Sequence, residues 1–176
     1  MTVIRKATAQ DVDAVAAIYE RIISEEEAGR CTIGWQRGVY PTRDTALKAV
    51  EQADLFVLVT EGGIVAAMRL NQEQVPEYKL CQWQYPAEDH QVMVMHTLVV
   101  DPRAAKQGYG RRMVDFYERY AKAQHCPCLR IDTNAFNRRA RAMYAHYGYR
   151  EAGIVPCTFN GIGGVHLVCI EKKLPD

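Results

Sequence analysis

Two glycines, Gly108 and Gly110, stand between a β-rich apolar stretch that ends at Val100 and a stretch with helical spacing. The first N–H groups of a helix have no acceptor within the helix, and the helix dipole adds positive charge there. Glycine has no Cβ, so a phosphate can approach such amides closely. The segment 99–112 therefore predicts an anion site, with a plain strand-to-helix turn as the alternative.

The residues around these glycines can be compared with two known nucleotide-binding motifs. A P-loop needs Lys and then Ser or Thr after its last glycine, whereas Arg111 and Arg112 follow Gly110. A dinucleotide fingerprint needs a third glycine at the position of Met113. Both nucleotide-binding motifs therefore fail, and from this segment alone a plain strand-to-helix turn is as good an interpretation as an anion site.

His96 is a candidate base on the apolar stretch that leads into the glycine turn. In an unbroken strand its side chain shares a face with Val94, Leu98 and Val100. Imidazole titrates near about 6.5, so His96 could accept a proton near neutral pH. A buried structural histidine is an equally good interpretation. Tyr144 lies on the apolar face of a later helix, where spacing alone favours a core residue.

The elements that must position these groups follow one another closely. Hydrophobic periodicity predicts strands over 2–7, 55–60, 64–70, 91–100, 129–133, 149–155 and 166–172, with two helices after the first strand and one after each of the fourth and fifth. The polar segment 71–89, which contains Trp83 and Tyr85, is interpreted as a surface flap or loop. The order predicts an α/β (α+β) fold: a mixed sheet of about seven strands, about four helices on its faces, and one domain over 1–176.

Composition excludes several classes of function. Lys plus Arg number 22 against 21 for Asp plus Glu, so no general positive field favours nucleic acid or an anionic membrane. No apolar run could span a bilayer, and the first residues do not resemble a signal peptide. The six cysteines are scattered without the spacing of metal ligands. We therefore expect a cytoplasmic protein with reduced thiols and no metal.

Three segments together resemble the GNAT superfamily of N-acetyltransferases. They are residues 98–102, the turn 108–110, and the run 137–149, with its Asn-x-x-Ala-x-x-x-Tyr pattern and closing Gly-Tyr. The order of elements is similar over nearly the whole chain. One departure is Ala105, where the family loop usually begins with Gln or Arg, and Lys106 replaces a frequent glycine. Neither change removes a backbone amide.

The resemblance implies an acetyl-CoA-dependent enzyme whose sheet splays between its fourth and fifth strands to admit the pantetheine arm. It implies that Tyr144 protonates the CoA sulfur, with His96 as the base or water relay. The residues expected to bind the coenzyme are Leu98, Val99, Val100, Lys106, Gln107, Gly108, Tyr109, Gly110, Arg111, Asn134 and Asn137. The acceptor is expected at Trp35, Arg37, Tyr40 and Phe159.

The predicted reaction is acetylation of a primary amine on a small molecule or amino acid, by direct attack in a ternary complex. A protein acetyltransferase acting on Lys or an N-terminus is one alternative, although the bulky segment 71–89 favours a covered site. A non-catalytic acyl-CoA-binding or sensing module is the alternative from another class. The sequence leaves open the acceptor, whether the acyl group is always acetyl, and whether the protein is a homodimer.

Overall fold

The computed structural model describes residues 1–175, in which seven strands form one sheet in the order β1-β2-β3-β4-β5-β7-β6. Neighbouring strands are antiparallel except for the parallel pair β4 and β5. The elements are β1 Val3–Lys6, α1 Val12–Glu27, α2 Arg43–Glu51, β2 Leu55–Thr60, β3 Gly63–Asn71, β4 Val92–Val100, α3 Tyr109–Ala123, β5 Cys128–Asn134, α4 Arg138–His146, β6 Arg150–Phe159 and β7 Ile162–Lys173. The predicted mixed sheet with four helices is confirmed.

The helices bury apolar stripes on both faces of the sheet. Helices α3 and α4 pack on one face, where Met113, Tyr117 and Tyr144 join the largest core cluster. Helices α1 and α2 cover β2, β3 and the end of β4 on the other face, through residues such as Ile18 and Ala46. Three- and four-residue spacing along each helix places these side chains on one stripe.

Strands β4 and β5 pair along only the first half of their length and then separate. Their parallel pairing runs from Val92 with Cys128 to Met95 with Ile131 and goes no further. Two residues beyond Met95, Thr97 has a φ of 51°, a left-handed conformation that β-branched residues rarely adopt. The predicted splay between the fourth and fifth strands is therefore confirmed.

The divergence coincides with a β-bulge in β4. Residues 67 and 69 of β3 pair with residues 99 and 96 of β4, so β4 holds one residue more than its partner. An extra residue reverses the alternation of side chains. Before the bulge Val94 faces away from α3, whereas after it Leu98 and Val100 face toward α3. The expectation that His96 shares one face with all three of these residues is wrong for this reason.

Tyr78 corrects the interpretation of segment 71–89 as a surface flap. This side chain lies in a 3₁₀ helix, Pro76–Leu80, and is only 2% exposed, packed on the face of β4, β5 and β7. The indole N–H of Trp83 donates to the Tyr78 carbonyl at 2.8 Å. The guanidinium of Arg130 lies 4.0 Å from the centre of the Trp83 ring. The segment therefore packs against this face of the sheet and covers part of it.

Strands β6 and β7 are longer than predicted, because Asn160 and Gly161 connect them by a tight turn. Both residues have positive φ, 50° and 78°. An Asn-Gly pair with positive φ at both positions matches the right-handed twist of a hairpin. Residues 156–165, which lie between the two predicted strands, therefore form a hairpin that places Phe159 at its tip.

Candidate active site

A cavity of about 600 Å³ lies where β4 and β5 diverge. Its size is typical of a site for a small molecule or coenzyme. The wall includes most of the residues that the sequence analysis selected: Trp35, Tyr40, Leu98, Val99, Val100, Lys106, Gly110, Asn134, Asn137, Tyr144 and Phe159. The structure therefore brings the glycine turn, the aromatic residues and Tyr144 to one place.

The phosphate loop, residues 101–110, joins β4 to α3. None of the backbone N–H groups from Lys106 to Arg111 donates a hydrogen bond within residues 1–175. Gly108 is the N-cap of α3 in a left-handed conformation, with φ 77°. These unpaired donors lie at the positive end of a helix of 15 residues. The arrangement has the chemistry of an anion site.

Asp101 anchors this loop from inside the protein. The carboxylate is 3% exposed and accepts two hydrogen bonds from Arg21, at 3.1 and 2.8 Å. It also accepts one from the backbone N–H of Arg103, at 3.0 Å. The arginines and this backbone bond keep its pKa low against the opposing effect of burial. The loop is thus fixed without use of the amides that follow it.

Asn134 and Asn137 line the cavity on β5 and at the start of α4, away from the phosphate loop. Asn137 is the N-cap of α4, since its Oδ1 accepts a hydrogen bond from the N–H of Ala140 at 3.2 Å. Asn134 accepts from the N–H of Phe136 at 3.0 Å. A Cβ added to Gly34 would meet the side-chain nitrogen of Asn134, and the φ of Gly34 is 87°. The α1–α2 loop, residues 28–42, therefore approaches β5 closely here, and the positive φ of Gly34 favours glycine at this position.

Tyr144 projects from α4 into the cavity wall. The residue is 4% exposed, and its ring meets that of Tyr149 edge to face at 5.7 Å. Burial raises the pKa of the Tyr144 phenol, and the negative charge of Asp132 raises it further. The hydroxyl therefore stays protonated at neutral pH and can serve as a proton donor.

Asp132 is a site residue that the sequence analysis missed. It lies on β5, lines the cavity, and accepts a hydrogen bond from the Tyr78 hydroxyl at 2.7 Å. Burial raises the pKa of its carboxyl to about 6, against the lowering effect of the Tyr78 bond. The available signal was an acidic residue inside an otherwise buried strand, which is a candidate for function.

Comparisons with known proteins identify the family. Residues 17–149 match the family model described as the acetyltransferase (GNAT) family. The chain belongs to the GNAT family. A relative from Bacillus subtilis (strain 168), described as the uncharacterized N-acetyltransferase YhfO, is 33% identical over 60 residues. This match spans 34% of the present chain and 40% of that relative.

Solved structures of GNAT proteins share the fold. The structure of a GNAT-family acetyltransferase from Streptococcus agalactiae 2603 superposes with a TM-score of 0.82 at 17% identity, over 99% of this chain and 96% of that one. The ribosomal-protein-S18-alanine N-acetyltransferase from Escherichia coli gives 0.69 at 18% identity, over 100% and 96%. The predicted family, fold and acetyltransferase class are confirmed. No helix in residues 1–175 is long and apolar enough to cross a bilayer.

The structure places His96 outside the set of residues that line this GNAT cavity. Its Nε2 lies 2.8 Å from Oδ1 of Asn71, whose amide group donates to Asp54 at 2.9 Å. Since that oxygen of Asn71 is an acceptor, Nε2 of His96 carries the proton. Burial and the nearby Arg69 lower the His96 pKa to about 4. This placement favours the structural interpretation of His96 over the predicted base.

Three of the four residues expected at the acceptor site lie together. Trp35 and Tyr40 meet edge to face at 6.1 Å, and Phe159 lies on the same cavity wall. The Tyr40 hydroxyl also hydrogen-bonds to the side chain of Thr97 in the bulge. Arg37 is not on the wall, because its guanidinium pairs on the surface with two glutamates of α1. The structure therefore does not support Arg37 as a substrate contact.

Proposed function

We propose that this protein transfers the acetyl group of acetyl-CoA to the primary amine of a small molecule, by direct attack in a ternary complex. The observation that carries this proposal is that Asp132 and Tyr144 line the same cavity as the phosphate loop. The carboxyl, with its raised pKa, can serve as the base and the protonated phenol as the acid in the proton transfers of the reaction. Neither group requires a covalent acyl-enzyme.

The phosphate loop would bind the diphosphate of the coenzyme through the free amides of residues 106–111. Lys106 and Arg139 also line the cavity and add positive charge. Beyond Met95, β4 has no pairing with β5, so the edge from Leu98 to Val100 can pair with the amides of the pantetheine arm. Acetyl-CoA supplies the acyl group as a reactive thioester.

Asp132 would take the proton from the acceptor amine. Alkylamines titrate near about 10.4 and are protonated at neutral pH. With a pKa of about 6, the Asp132 carboxyl is ionised at pH 7 yet more basic than an ordinary aspartate. The freed nitrogen attacks the thioester carbon, and the carbon–sulfur bond then breaks. Tyr144 would protonate the departing sulfur, and its phenolate would take the second proton that the nitrogen loses as the amide forms. Backbone N–H groups from Leu98 to Val100 would stabilise the oxyanion.

The end of the cavity beside the β6–β7 hairpin is covered, and a covered end favours a small acceptor over a protein chain. A Cβ added to Gly161, at the hairpin tip, would lie 3.3 Å from Cγ1 of Val39 in the α1–α2 loop. The tip and the loop thus meet over this end of the cavity. Segment 71–89, which the sequence analysis took as the cover, has no residue on the cavity wall.

The test is release of free CoA thiol by purified protein with acetyl-CoA and a panel of primary amines. Asp132→Asn and Tyr144→Phe should each lower kcat by about 10²–10⁴-fold. Asp44→Asn, in an exposed pair with Lys48, is the matched control and should not change kcat. A non-catalytic sensor would bind CoA in calorimetry and release no thiol with any amine. Absence of CoA binding would overturn the proposal altogether.

A further inference from the structure

The cavity ends on the β7 side in an apolar chamber that we name the acceptor end. The side chains of Trp35, Tyr40, Phe159, Ile162 and Val165 form it. Phe159 pairs with Ile162 across the hairpin turn, and Trp35 stacks edgewise on Tyr40. An aromatic or aliphatic group fits such walls, because burial of apolar surface stabilises it there by about 25 cal/mol per Å².

None of the five side chains that form this end of the cavity carries a positive charge. The cationic side chains on the cavity wall are Arg30, Lys106 and Arg139. Arg30 is neutralised by Glu25 through two bonds, of 2.7 and 2.8 Å. Lys106 belongs to the phosphate loop, and Arg139 lies in the first turn of α4. A carboxylate or phosphate on the acceptor would therefore lose its water without gaining a counter-charge.

The unpaired charge that does lie near the acceptor end is negative. Asp132 lines the cavity, and its charge is close enough to raise the pKa of both Tyr40 and Tyr144. A carboxylate attracts an ammonium group and repels another carboxylate. The faces of Trp35 and Tyr40 likewise attract cations. The charge distribution thus favours an acceptor with one amine and no acidic group.

From these contacts we propose that the acceptor is an apolar primary amine, aralkyl or alkyl, that carries no carboxylate or phosphate. The inference rests on the proposed function and narrows it, since it excludes free amino acids as good acceptors. The ammonium group would enter beside Asp132 while the apolar part occupies the space between Trp35 and Phe159.

The test compares three acceptors that share one ring. They are 2-phenylethylamine, L-phenylalanine, which adds a carboxylate beside the amine, and L-phenylalaninamide, which adds an uncharged group of similar size. The expected kcat/KM is at least about 100-fold higher for 2-phenylethylamine than for L-phenylalanine. L-phenylalaninamide should lie within about tenfold of 2-phenylethylamine, because charge and not size sets the preference.

A cation placed in the acceptor end should change this preference. Phe159→Arg supplies a counter-charge and should reduce the ratio between 2-phenylethylamine and L-phenylalanine at least about tenfold. Ile154→Arg, on the same strand at a 50% exposed position outside the cavity, adds the same charge and should leave the ratio unchanged. If Phe159→Arg does not fold, Trp35→Arg on the opposite wall makes the same test.

The outcomes separate the inference from the proposed function. L-phenylalanine turned over as well as 2-phenylethylamine, or acetylation of peptides alone, would overturn the inference and leave acetyl transfer in place. Equal ratios in Phe159→Arg, Trp35→Arg and the parent protein would also overturn it. If CoA binds in calorimetry and no amine of any class is acetylated, the proposed function fails and the inference fails with it.

Discussion

The Tyr78 hydroxyl donates a hydrogen bond of 2.7 Å to Oδ2 of Asp132, and so joins the segment between β3 and β4 to the cavity wall. Burial raises the Asp132 pKa to about 6, and this bond opposes the rise because it stabilises the carboxylate. The strength of the proposed base therefore depends on a residue that does not itself line the cavity.

Removal of the Tyr78 hydroxyl should make Asp132 harder to ionise. In Tyr78→Phe the ring still fills its site, but the carboxylate loses its donor. The acidic limb of the kcat/KM profile should therefore move to higher pH, by about one pH unit. Tyr120→Phe, on the half-buried outer part of α3, is the control and should leave the profile in place. A uniform loss of activity without movement of the limb would mean that Tyr78 only supports the shape of the site.

Asp132→Asn should lose activity and gain stability at neutral pH. A folded-state pKa raised from 3.8 to about 6 means that folding favours the protonated carboxyl. Its contribution to stability is therefore complete below pH 3.8 and is lost as the pH rises through 6. Asn does not ionise, so the variant should be more stable than the parent by up to about 3 kcal/mol at pH 7 and equal to it near about pH 3. Urea unfolding at both pH values measures this; a variant less stable at pH 7 would contradict the proposed environment of Asp132.

The two glycines of the phosphate loop should respond differently to alanine. At Gly110 a Cβ would meet Met143 and Val100 at 3.8 Å, which are ordinary contacts. Gly110→Ala should fold normally yet bind CoA at least about tenfold more weakly, because the methyl group stands between phosphate and amide. Gly108→Ala has open space around it but a φ of 77°, so it should lose about 1–2 kcal/mol of stability.

Calorimetry with CoA and urea unfolding give the two readouts for these glycine variants. The phosphate-loop proposal expects the affinity loss at Gly110 without a loss of stability. Unchanged CoA affinity in Gly110→Ala would place the diphosphate elsewhere.

The order of elements could be predicted because it depends on local periodicity. The family and the splay were implied by the resemblance of residues 98–102, 108–110 and 137–149 to the GNAT superfamily. The burial of Asp132 and its hydrogen bond from Tyr78 could not be predicted, because Tyr78 lies 54 positions earlier in the chain. The polar segment 71–89 contains three aromatic residues, Tyr78, Trp83 and Tyr85, and its sequence does not indicate which of them is buried. The Asn160-Gly161 turn, by contrast, is a local hairpin signal that the sequence already contains.

The place of His96 was mispredicted for a specific physical reason. Alternation along a strand holds only while the register is regular, and Thr97 is an extra residue in β4. Neither its type nor its neighbours mark a bulge, since a β-branched residue with positive φ is uncommon. Side chains before Thr97 therefore alternate between the two sheet faces in one register, and side chains after it alternate in the opposite register.

His96→Gln decides between a catalytic and a structural histidine. Burial and Arg69 lower the His96 pKa from 6.5 to about 4, so the neutral ring favours the folded state. Its contribution to stability is complete above pH 6.5 and is lost as the pH falls toward 4, up to about 3 kcal/mol. Gln can still donate to Asn71 but cannot take up a proton. The variant should therefore lose less stability than the parent between pH 6.5 and 4 in urea unfolding, and its kcat/KM should stay within about threefold. A drop of about 100-fold in kcat with an unchanged dependence of stability on pH would instead make His96 the base and remove that role from Asp132.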